Sequence, residues 1–394
     1  MSPVDGPLSD VRVLDLTSVV MGPFATQILG DLGADVITVE DIGGDTNRYM
    51  GVGPHPQLSG VALNLMRNKR NVSLDLKHPD GREAFLRLAE TADVMVTNLR
   101  PGPLRRLRLA YDDVRARKPD IVYCQAQGWP TDGPDADKPA YDDVVQSASG
   151  VADVYALQGG EPRIVPTIMA DKVSGLTIVY TVLAALHHQR RTGEGQRVEV
   201  PMVEVMRSFM LAEHASSAVP VPALGPAGYT RVLSADRRPQ RTADGWIHVL
   251  PYSRDNYQQV FRAVGRDDLA DDPCLADRAS RAAAVDHLYA AVGDALLQRT
   301  TAEWLAFCDE HDIPCSAIVA LDDIVAGMPV ATHPVAGDYR VIPNGIRLDA
   351  TPPSVRRHAA LIGQDADEVL SEVGYSSDEI ASLRAVGAVR SRTS

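Results

Sequence analysis

Residues 11–40 read VRVLDLTSVVMGPFATQILGDLGADVITVE, and this stretch decides the fold class. VRVLDL and ADVITVE are short apolar segments rich in β-branched residues, which is typical of buried strands. GPFATQILGDLG between them has the character of a helix that ends at a glycine. A strand, a helix and a second strand in this order form a βαβ unit, which predicts a parallel, doubly wound sheet.

The same alternation continues outward from this unit. NVSLDL, DVMVTNL and IVYCQAQGW are predicted strands, and HPDGREAFLRLAETA and LRRLRLAYDDVRARKP are predicted helices. In open sheets of this kind, ligands bind beyond the carboxyl ends of the strands. We therefore expect the binding site in the loops that follow Leu16, Val39, Leu76 and Val96.

The later half of the chain changes character after a Pro- and Gly-rich stretch, SSAVPVPALGPAG. We predict a large domain that begins with residues 1–200, a linker over 201–228 and a smaller α+β domain over 229–318. The last segment, 319–394, is too small to form a domain and is expected to return to the first one.

Composition excludes several classes of function. The 394 residues carry a net charge of −13, whereas broad nucleic-acid binding usually needs a basic face. The four cysteines are scattered without metal-ligand spacing. We therefore expect a cytoplasmic protein with reduced thiols and without a bound metal. The most apolar segment, Val173 to Leu186, is too short and too closely flanked by polar residues to span a bilayer, so no membrane is expected.

One carboxylate stands out in residues 168–200, IMADKVSGLTIVYTVLAALHHQRRTGEGQRVEV. Asp171 lies where a loop turns into a long apolar helix. As an N-cap it would accept backbone N–H bonds, which is the commoner role for an aspartate in this place. As a catalyst it would attack an activated acyl group. The local pattern alone leaves both roles open.

Several ordered segments resemble a known family. They are the opening βαβ unit, NKRNVSLDLKHPDGRE, DVMVTNLRPGPLRRL, PAYDDVVQSASG, TGEGQRVEVPMVE, TADGWI and the tail HAALIGQDADEVLSEVGYSSDEIASLRAVGAV. Together they cover nearly the whole chain and resemble the family III CoA-transferases, a group that includes formyl-CoA transferase, carnitine CoA-transferase and alpha-methylacyl-CoA racemase.

The resemblance implies that Asp171, followed by Gly175, is the covalent nucleophile of a CoA-transferase. It would form a mixed anhydride with the acyl group of an acyl-CoA and then an aspartyl-CoA thioester, which an acceptor carboxylate resolves. CoA and acyl-CoA would be substrates, and no cofactor would be bound permanently. The positions that match the family's CoA contacts are Val20, Met21, Leu74, Lys77, Asn98, Leu99, Arg100, Arg106, Tyr141 and Asp142.

The resemblance also implies an architecture. The large domain would be Rossmann-like and built from both chain ends, and two chains would form an interlocked homodimer whose sites take residues from both. The expected partners are therefore acyl-CoA, carboxylic acids and a second copy of the chain.

Three segments depart from the family pattern. Thr38 and Asp41 stand where a basic residue usually helps to bind the adenosine phosphates, and Arg48 or Arg67 are the candidates to replace it. QAQGWPTDGP replaces a Ser-Gly turn, so Trp129 is expected to reshape the acyl pocket. SADRRPQRTADG replaces the glycine-rich loop that shields the intermediate in some transferases.

Other functions stay open on the sequence alone. A racemase would use a histidine where this chain has Tyr141, and a tyrosine of ordinary pKa is a poor base at neutral pH. A CoA-linked lyase or hydrolase, and a CoA-binding protein without catalysis, are further alternatives. Lys69, Arg70, Arg105 and Arg108 are either solvated surface charges or part of a basic cluster for CoA. The donor and acceptor acids are not specified, since the charge run of Arg237, Arg238 and Arg241 fits a dicarboxylate or simple solvation equally well.

Overall fold

The computed structural model describes residues 6–390. The strands are β1 (Arg12–Leu16), β2 (Asp35–Glu40), β3 (Lys69–Ser73), β4 (Val94–Thr97), β5 (Val122–Gln127), β6 (Arg197–Pro201), β7 (Gln240–Arg241), β8 (Trp246–Val249), β9 (Cys315–Ala317), β10 (Val330–His333) and β11 (Gly337–Arg340). The helices are α1 (Met21–Asp31), α2 (Gly60–Leu65), α3 (Pro79–Glu90), α4 (Pro101–Leu107), α5 (Tyr111–Arg115), α6 (Asp142–Ala148), α7 (Val151–Leu157), α8 (Met169–Thr192), α9 (Met202–His214), α10 (Thr230–Leu233), α11 (Arg254–Arg262), α12 (Asp267–Ala270), α13 (Arg278–Ala283), α14 (Val285–Leu296), α15 (Thr301–Glu310), α16 (Leu321–Ala326), α17 (Ala366–Glu372) and α18 (Ser377–Ala385).

The chain divides into two compact units. The larger contains the residues up to Ser149, Ile164–Phe209 and the segment from Met328 onward. The smaller contains Gly150–Arg163 and Met210–Gly327. The division therefore falls inside α9, within the segment 201–228 that the sequence analysis assigned to a linker. The smaller unit also includes a short piece around α7, which no sequence pattern had indicated.

The larger unit contains a parallel six-stranded sheet in the order β3-β2-β1-β4-β5-β6. The predicted α/β class with a large parallel sheet is confirmed. Strand order reverses between β1 and β4, and such a switch point opens a crevice at the carboxyl ends of the strands. Strands β1 to β5 are buried almost throughout because helices cover both faces, whereas the edge strand β6 is only partly buried. Cys124 lies on β5 with no exposed surface, as expected for a core thiol.

The C-terminal segment shares the core of this sheet. Val369 and Leu370 on α17 and Val389 near the end of the described chain lie in one apolar cluster with Leu14 and Ile37 of the central strands. A second cluster joins Tyr339 of β11 to Leu58 and Met66 of the N-terminal part. The larger unit is thus assembled from segments that are far apart in sequence.

Two predicted elements have different bounds in the structure. The single helix expected over 104–119 is wrong, because α4 ends where Arg108 adopts a left-handed conformation with φ of 55°. The strand expected over 71–76 instead begins at Lys69. The polar residues at its start gave no strand signal, because their side chains are buried by partners from other elements.

Helix α8 is the longest helix in the described part of the chain. By length and composition alone it is long and apolar enough to cross a membrane, and 44% of its most apolar stretch is buried inside the protein. The expectation that the apolar run is too short to span a bilayer rested on Val173 to Leu186 alone, whereas the helix extends from Met169 to Thr192. Ala170, Ile178 and Val182 are fully buried, and α8 packs on α1, β5 and β6 within the same unit. These contacts are those of a core helix.

The smaller unit has its own apolar core. Helices α11, α14 and α15 supply Phe261, Val292 and Trp304, which pack with Ile247 on the short antiparallel sheet β7-β8-β9. The indole of Trp304 donates a hydrogen bond to the Leu296 carbonyl, so its one polar atom is paired.

Candidate active site

The first turn of α8 carries Asp171. Ile168 is the N-cap residue and makes no side-chain cap bond, so the interpretation of Asp171 as the N-cap is wrong. Asp171 is the third residue of the helix, and its backbone N–H donates to Asp142 Oδ1 at 2.9 Å. Asp142 therefore satisfies an unpaired amide of this helix start. The Asp171 carboxylate therefore does not act as the N-cap of its own helix.

Gly175 explains why a glycine follows Asp171 by one helical turn. A Cβ atom on Gly175 would lie 2.9 Å from the Met21 carbonyl oxygen and 2.9 Å from the Phe24 ring. Only glycine allows α8 to approach the first turn of α1 this closely. The close approach brings the start of α8 beside the start of α1, where Met21 and Asp171 line the same cavity.

A cavity of about 260 Å³ lies at this place. Its lining residues are Ser18, Val19, Met21, Asn98, Leu99, Arg100, Pro103, Gln127, Gly128, Lys138, Pro139, Ala140, Tyr141, Asp171 and Met202. Asp171 is the only acidic residue among them, and Arg100 and Lys138 are the cations. One carboxylate in a partly apolar cavity with cations is suited to attack on an anionic thioester substrate.

The environment of Asp171 tunes its acidity. Burial raises the pKa of Asp171 to about 6, and the negative charge of Asp142 acts in the same direction. The backbone N–H of Met21 opposes both by favouring the ionised form. A carboxyl with this pKa is mostly ionised at neutral pH and is more basic than an exposed aspartate. The Asp171 carboxylate is therefore present mainly in its reactive, ionised form at neutral pH and is a stronger nucleophile than an exposed aspartate.

The turn after β1 is held in a strained conformation beside Asp171. Val19 has φ of 69°, which is costly for a β-branched residue. Asn98 clamps the turn from both sides, since its Oδ1 accepts from the Ser18 amide at 3.0 Å and its Nδ2 donates to the Ser18 carbonyl at 2.7 Å. Asp45 accepts from the Val19 amide at 3.2 Å. Strain maintained by several bonds is typical of a binding site.

A second cavity, of about 290 Å³, follows the ends of β1, β2 and β3. It shares Ser18 and Leu99 with the Asp171 cavity. Leu74 and Lys77 line this second cavity, whereas Met21, Asn98, Arg100 and Tyr141 line the first. The structure thus brings most of the sequence-predicted positions to two neighbouring cavities at the expected edge of the sheet.

Three predicted positions line neither of these cavities. Val20 is buried as the N-cap of α1. Arg106 is exposed on α4. Asp142 is buried behind Asp171, where Gln146 Nε2 also donates to it at 2.6 Å. Asp142 thus contacts the backbone of the predicted nucleophile.

Four cations expected near a CoA phosphate are committed elsewhere. Lys69 and Arg70 are buried in ion pairs and line neither of the two cavities, since Lys69 pairs with Asp15 at 3.0 Å and Arg70 with Asp35 at 2.6 Å. The proposal that Arg48 or Arg67 replaces the missing basic residue is also wrong. Arg48 is fully buried against Glu40 at 2.6 Å, and Arg67 is buried against Asp31 at 2.6 Å.

Several residues that line the Asp171 cavity were not predicted from the sequence. Lys138 lines the Asp171 cavity and pairs with Asp135 at 2.6 Å. Gly128 lines it too, and a Cβ there would meet the Ala140 side chain at 2.2 Å. Gly128 belongs to the QAQGW stretch, which the sequence flagged only through Trp129. The loop position after β5 was the available signal, since ligands bind beyond strand ends.

The contact between Asp142 and Asp171 leads to a testable prediction. Replacement of Asp142 by asparagine removes the nearby negative charge, so the pKa of Asp171 should fall below about 6. The acid limb of the pH dependence of kcat/KM should move to lower pH by a few tenths of a unit to about one unit. The exposed neighbour Asp143, changed to asparagine, is the matched control and should leave the limb in place. An unchanged limb in the Asp142→Asn enzyme would contradict the coupling.

Comparisons with known proteins identify the family of the chain. The family model "CoA-transferase family III" matches residues 8–366. The chain belongs to CoA-transferase family III, whose members are enzymes that use CoA thioesters.

Individual relatives lead to the same family. The chain is 36% identical over 311 residues to the probable fatty acyl-CoA transferase Rv3272 of Mycobacterium tuberculosis, covering 76% of this chain and 79% of the relative. It is 30% identical over 386 residues to the succinate–glutarate CoA-transferase of Agrobacterium fabrum, covering 93% of this chain and 96% of the relative. A crystal structure of Rv3272 matches with a TM-score of 0.80 and 29% identity, covering 93% of this chain and 100% of that one.

Proposed function

We propose that this protein transfers CoA from an acyl-CoA to a carboxylic acid, with Asp171 as the covalent nucleophile. The observation that carries the proposal is that Asp171 is the one acidic residue lining a cavity otherwise bounded by apolar, amide and cationic groups. Its raised pKa, about 6, still leaves it ionised at neutral pH. The names of the relatives support the same reaction class.

The reaction proceeds through two kinds of intermediate. A carboxylate oxygen of Asp171 attacks the thioester carbonyl, the carbon–sulfur bond breaks, and CoA thiolate leaves a mixed anhydride behind. The thiolate then attacks the aspartyl carbonyl, which releases the donor acid as a carboxylate and forms an aspartyl-CoA thioester. The acceptor carboxylate attacks this thioester and regenerates thiolate and a new anhydride. Attack of thiolate on the acceptor-derived acyl carbonyl yields the product acyl-CoA and frees Asp171.

The surrounding residues assist these steps by placement and charge. The Met21 backbone N–H, which already favours the ionised form of Asp171, lies where it can donate to oxygen atoms as negative charge moves onto the acyl group. Arg100 and Lys138 supply positive charge to the same cavity. Partial burial removes water from the carboxylate, which strengthens both effects.

The two cavities divide the CoA molecule between them. The thioester end would lie beside Asp171 and Tyr141, with Asn98, Leu99 and Arg100 along the pantetheine arm. The nucleotide end would extend past Ser18 and Leu99 into the second cavity, toward Leu74 and Lys77. Val20 and Arg106 are assigned to CoA only by family resemblance, and Asp142 would act through the Asp171 backbone.

The experiment that tests this function is a panel of acyl-CoA donors and carboxylate acceptors, with products identified by mass. Transfer should occur for at least one pair, and hydroxylamine should trap Asp171 as the hydroxamate during turnover. CoA binding without transfer or trapping would indicate a non-catalytic protein. Deuterium exchange at the acyl α-carbon without transfer would indicate a racemase, and release of free acid without an acceptor a hydrolase.

We further propose that the protein works as a cytoplasmic homodimer, as the family resemblance implies. Light scattering should give twice the chain mass of 42.4 kDa, and dilution to nanomolar concentration should not reduce it if the chains are interlocked. A folded, active monomer would contradict this arrangement.

A further inference from the structure

The second cavity has an apolar wall and an acidic rim. Leu74, Leu76 and Leu107 form part of the wall, which suits a flat heterocyclic base. Glu40, Asp41, Asp45 and Asp75 also line it, and Lys77 is the only cation among its lining residues. This excess of negative charge is unexpected in a cavity adjoining the site of a polyphosphate substrate.

Two of the four carboxylates are already engaged inside the protein. Glu40 is fully buried in its ion pair with Arg48, and its Oε2 also accepts from the Asp45 amide at 2.9 Å. Asp45 accepts from the amides of Val19 and Asn47, and burial raises its pKa. These two acids shape the turn that lines both cavities. Both side chains are buried and hydrogen-bonded within the protein, so they do not define the rim.

Asp41 and Asp75 define the rim instead. Asp41 is exposed directly after β2, where Glu40 pairs in register with Ser73 of β3. Its backbone carbonyl accepts from the Ser73 hydroxyl at 3.0 Å, which fixes the position of the residue. Asp75 Oδ1 accepts from the Lys77 amide at 2.9 Å. Outside the lining set, Arg390 reaches this region, where it donates to the Ile42 carbonyl.

The place of Asp41 in the fold indicates what such a carboxylate binds. In doubly wound sheets of this strand order, an acidic residue about 20 residues beyond the first turn hydrogen-bonds ribose hydroxyls, whereas an arginine there accommodates a ribose phosphate. Asp41 stands in that position after β2. A carboxylate accepts hydrogen bonds from hydroxyl groups and repels a phosphate.

We propose that this cavity binds the adenosine end of the thioester substrate through its ribose hydroxyls, with Asp41 as the acceptor, and that it disfavours the 3′-phosphate of CoA. The protein then binds dephospho-CoA at least as tightly as CoA. Lys77 is left to bind the pyrophosphate that both molecules carry. This inference deepens the proposed function and rests on it for the identity of the ligand.

The test is calorimetric titration of the whole protein with CoA and with dephospho-CoA at low salt. The wild type should bind dephospho-CoA with equal or higher affinity. Asp41→Lys should raise the ratio of CoA affinity to dephospho-CoA affinity by tenfold or more, because it replaces a repulsive charge with an attractive one. Asp41→Asn should raise the ratio less. Asp294→Lys, an equal charge change at an exposed position of the smaller unit, is the matched control and should leave the ratio unchanged.

The outcomes separate this inference from the proposed function. A wild type that binds CoA more tightly than dephospho-CoA, beyond the error of the titration, would overturn the inference and leave the CoA-transferase proposal intact. An unchanged ratio in Asp41→Lys would also overturn it. If neither molecule binds, the proposed function fails and this inference fails with it.

Discussion

Replacement of Asp171 by asparagine should abolish CoA transfer and make the fold more stable. Asparagine keeps the shape of the side chain but has no carboxylate to form an anhydride. Loss of a covalent nucleophile is expected to lower kcat by about 10⁴-fold or more. Activity on the best donor and acceptor pair measures this, with mass spectrometry confirming that the introduced amide is intact. Near-normal turnover by an intact variant would remove Asp171 from the mechanism.

The gain in stability follows from the raised pKa. The pKa of Asp171 lies at about 6 in the folded protein against an ordinary value of 3.8, so the fold holds the proton more tightly than the unfolded chain does. Below pH 3.8 the carboxyl is protonated in both states and costs nothing. Above pH 6 it is ionised in both, and the fold carries the full penalty, at most about 3 kcal/mol. Asparagine removes that penalty.

Denaturation at two pH values measures this effect. Asp171→Asn should exceed the wild type in stability at pH 7.5, and the difference should shrink by about half at pH 5, where the wild-type carboxyl is largely protonated in the fold. Asp143→Asn, at an exposed neighbouring position, should show no such difference. A variant less stable than the wild type at pH 7.5 would mean that the Asp171 carboxylate stabilises the fold.

Lys69 and Lys77 should give opposite results when each is changed to methionine. Lys69 is buried, and its ammonium donates to Asp15 Oδ2 at 3.0 Å, the Pro23 carbonyl at 3.0 Å and Thr26 Oγ1 at 2.7 Å. Lys69→Met leaves Asp15 charged and unpaired in the core, so unfolding free energy should fall by about 3–5 kcal/mol. Lys77 is exposed at the second cavity. Lys77→Met should change stability by about 0.5 kcal/mol or less but weaken CoA binding about tenfold.

Denaturation and CoA titration of both variants distinguish the two roles. Addition of Asp15→Asn to Lys69→Met should recover part of the lost stability, because it removes the unpaired charge. A Lys69→Met protein with unchanged stability but weak CoA binding would place Lys69 at the ligand after all. The double variant should not recover all of the stability that Lys69→Met loses, because Asp15 is also held by other groups. One of them is Thr38, which donates to Asp15 at 3.1 Å.

Local sequence patterns were sufficient to predict the class of fold and to locate Asp171 at the start of a helix. Alternating strands and helices predicted the parallel sheet, because strand and helix periods are set by neighbours a few residues apart. The long apolar helix and its opening aspartate, Asp171, were visible for the same reason. Family resemblance added Gly175, and the structure supplies its physical cause in the close approach to Met21.

Only the tertiary structure decided which charged side chains are buried in ion pairs and which remain exposed. Lys69 meets Asp15, and Arg67 meets Asp31, although these partners lie 54 and 36 residues apart in sequence. A charged side chain is buried only when folding brings it a partner, and no local period records which carboxylate that will be. The same holds for Asp142 behind Asp171 and for Asp41 at the rim of the second cavity. Local pattern thus determined which elements form, whereas packing between distant elements determined which charged groups remain free to meet a substrate.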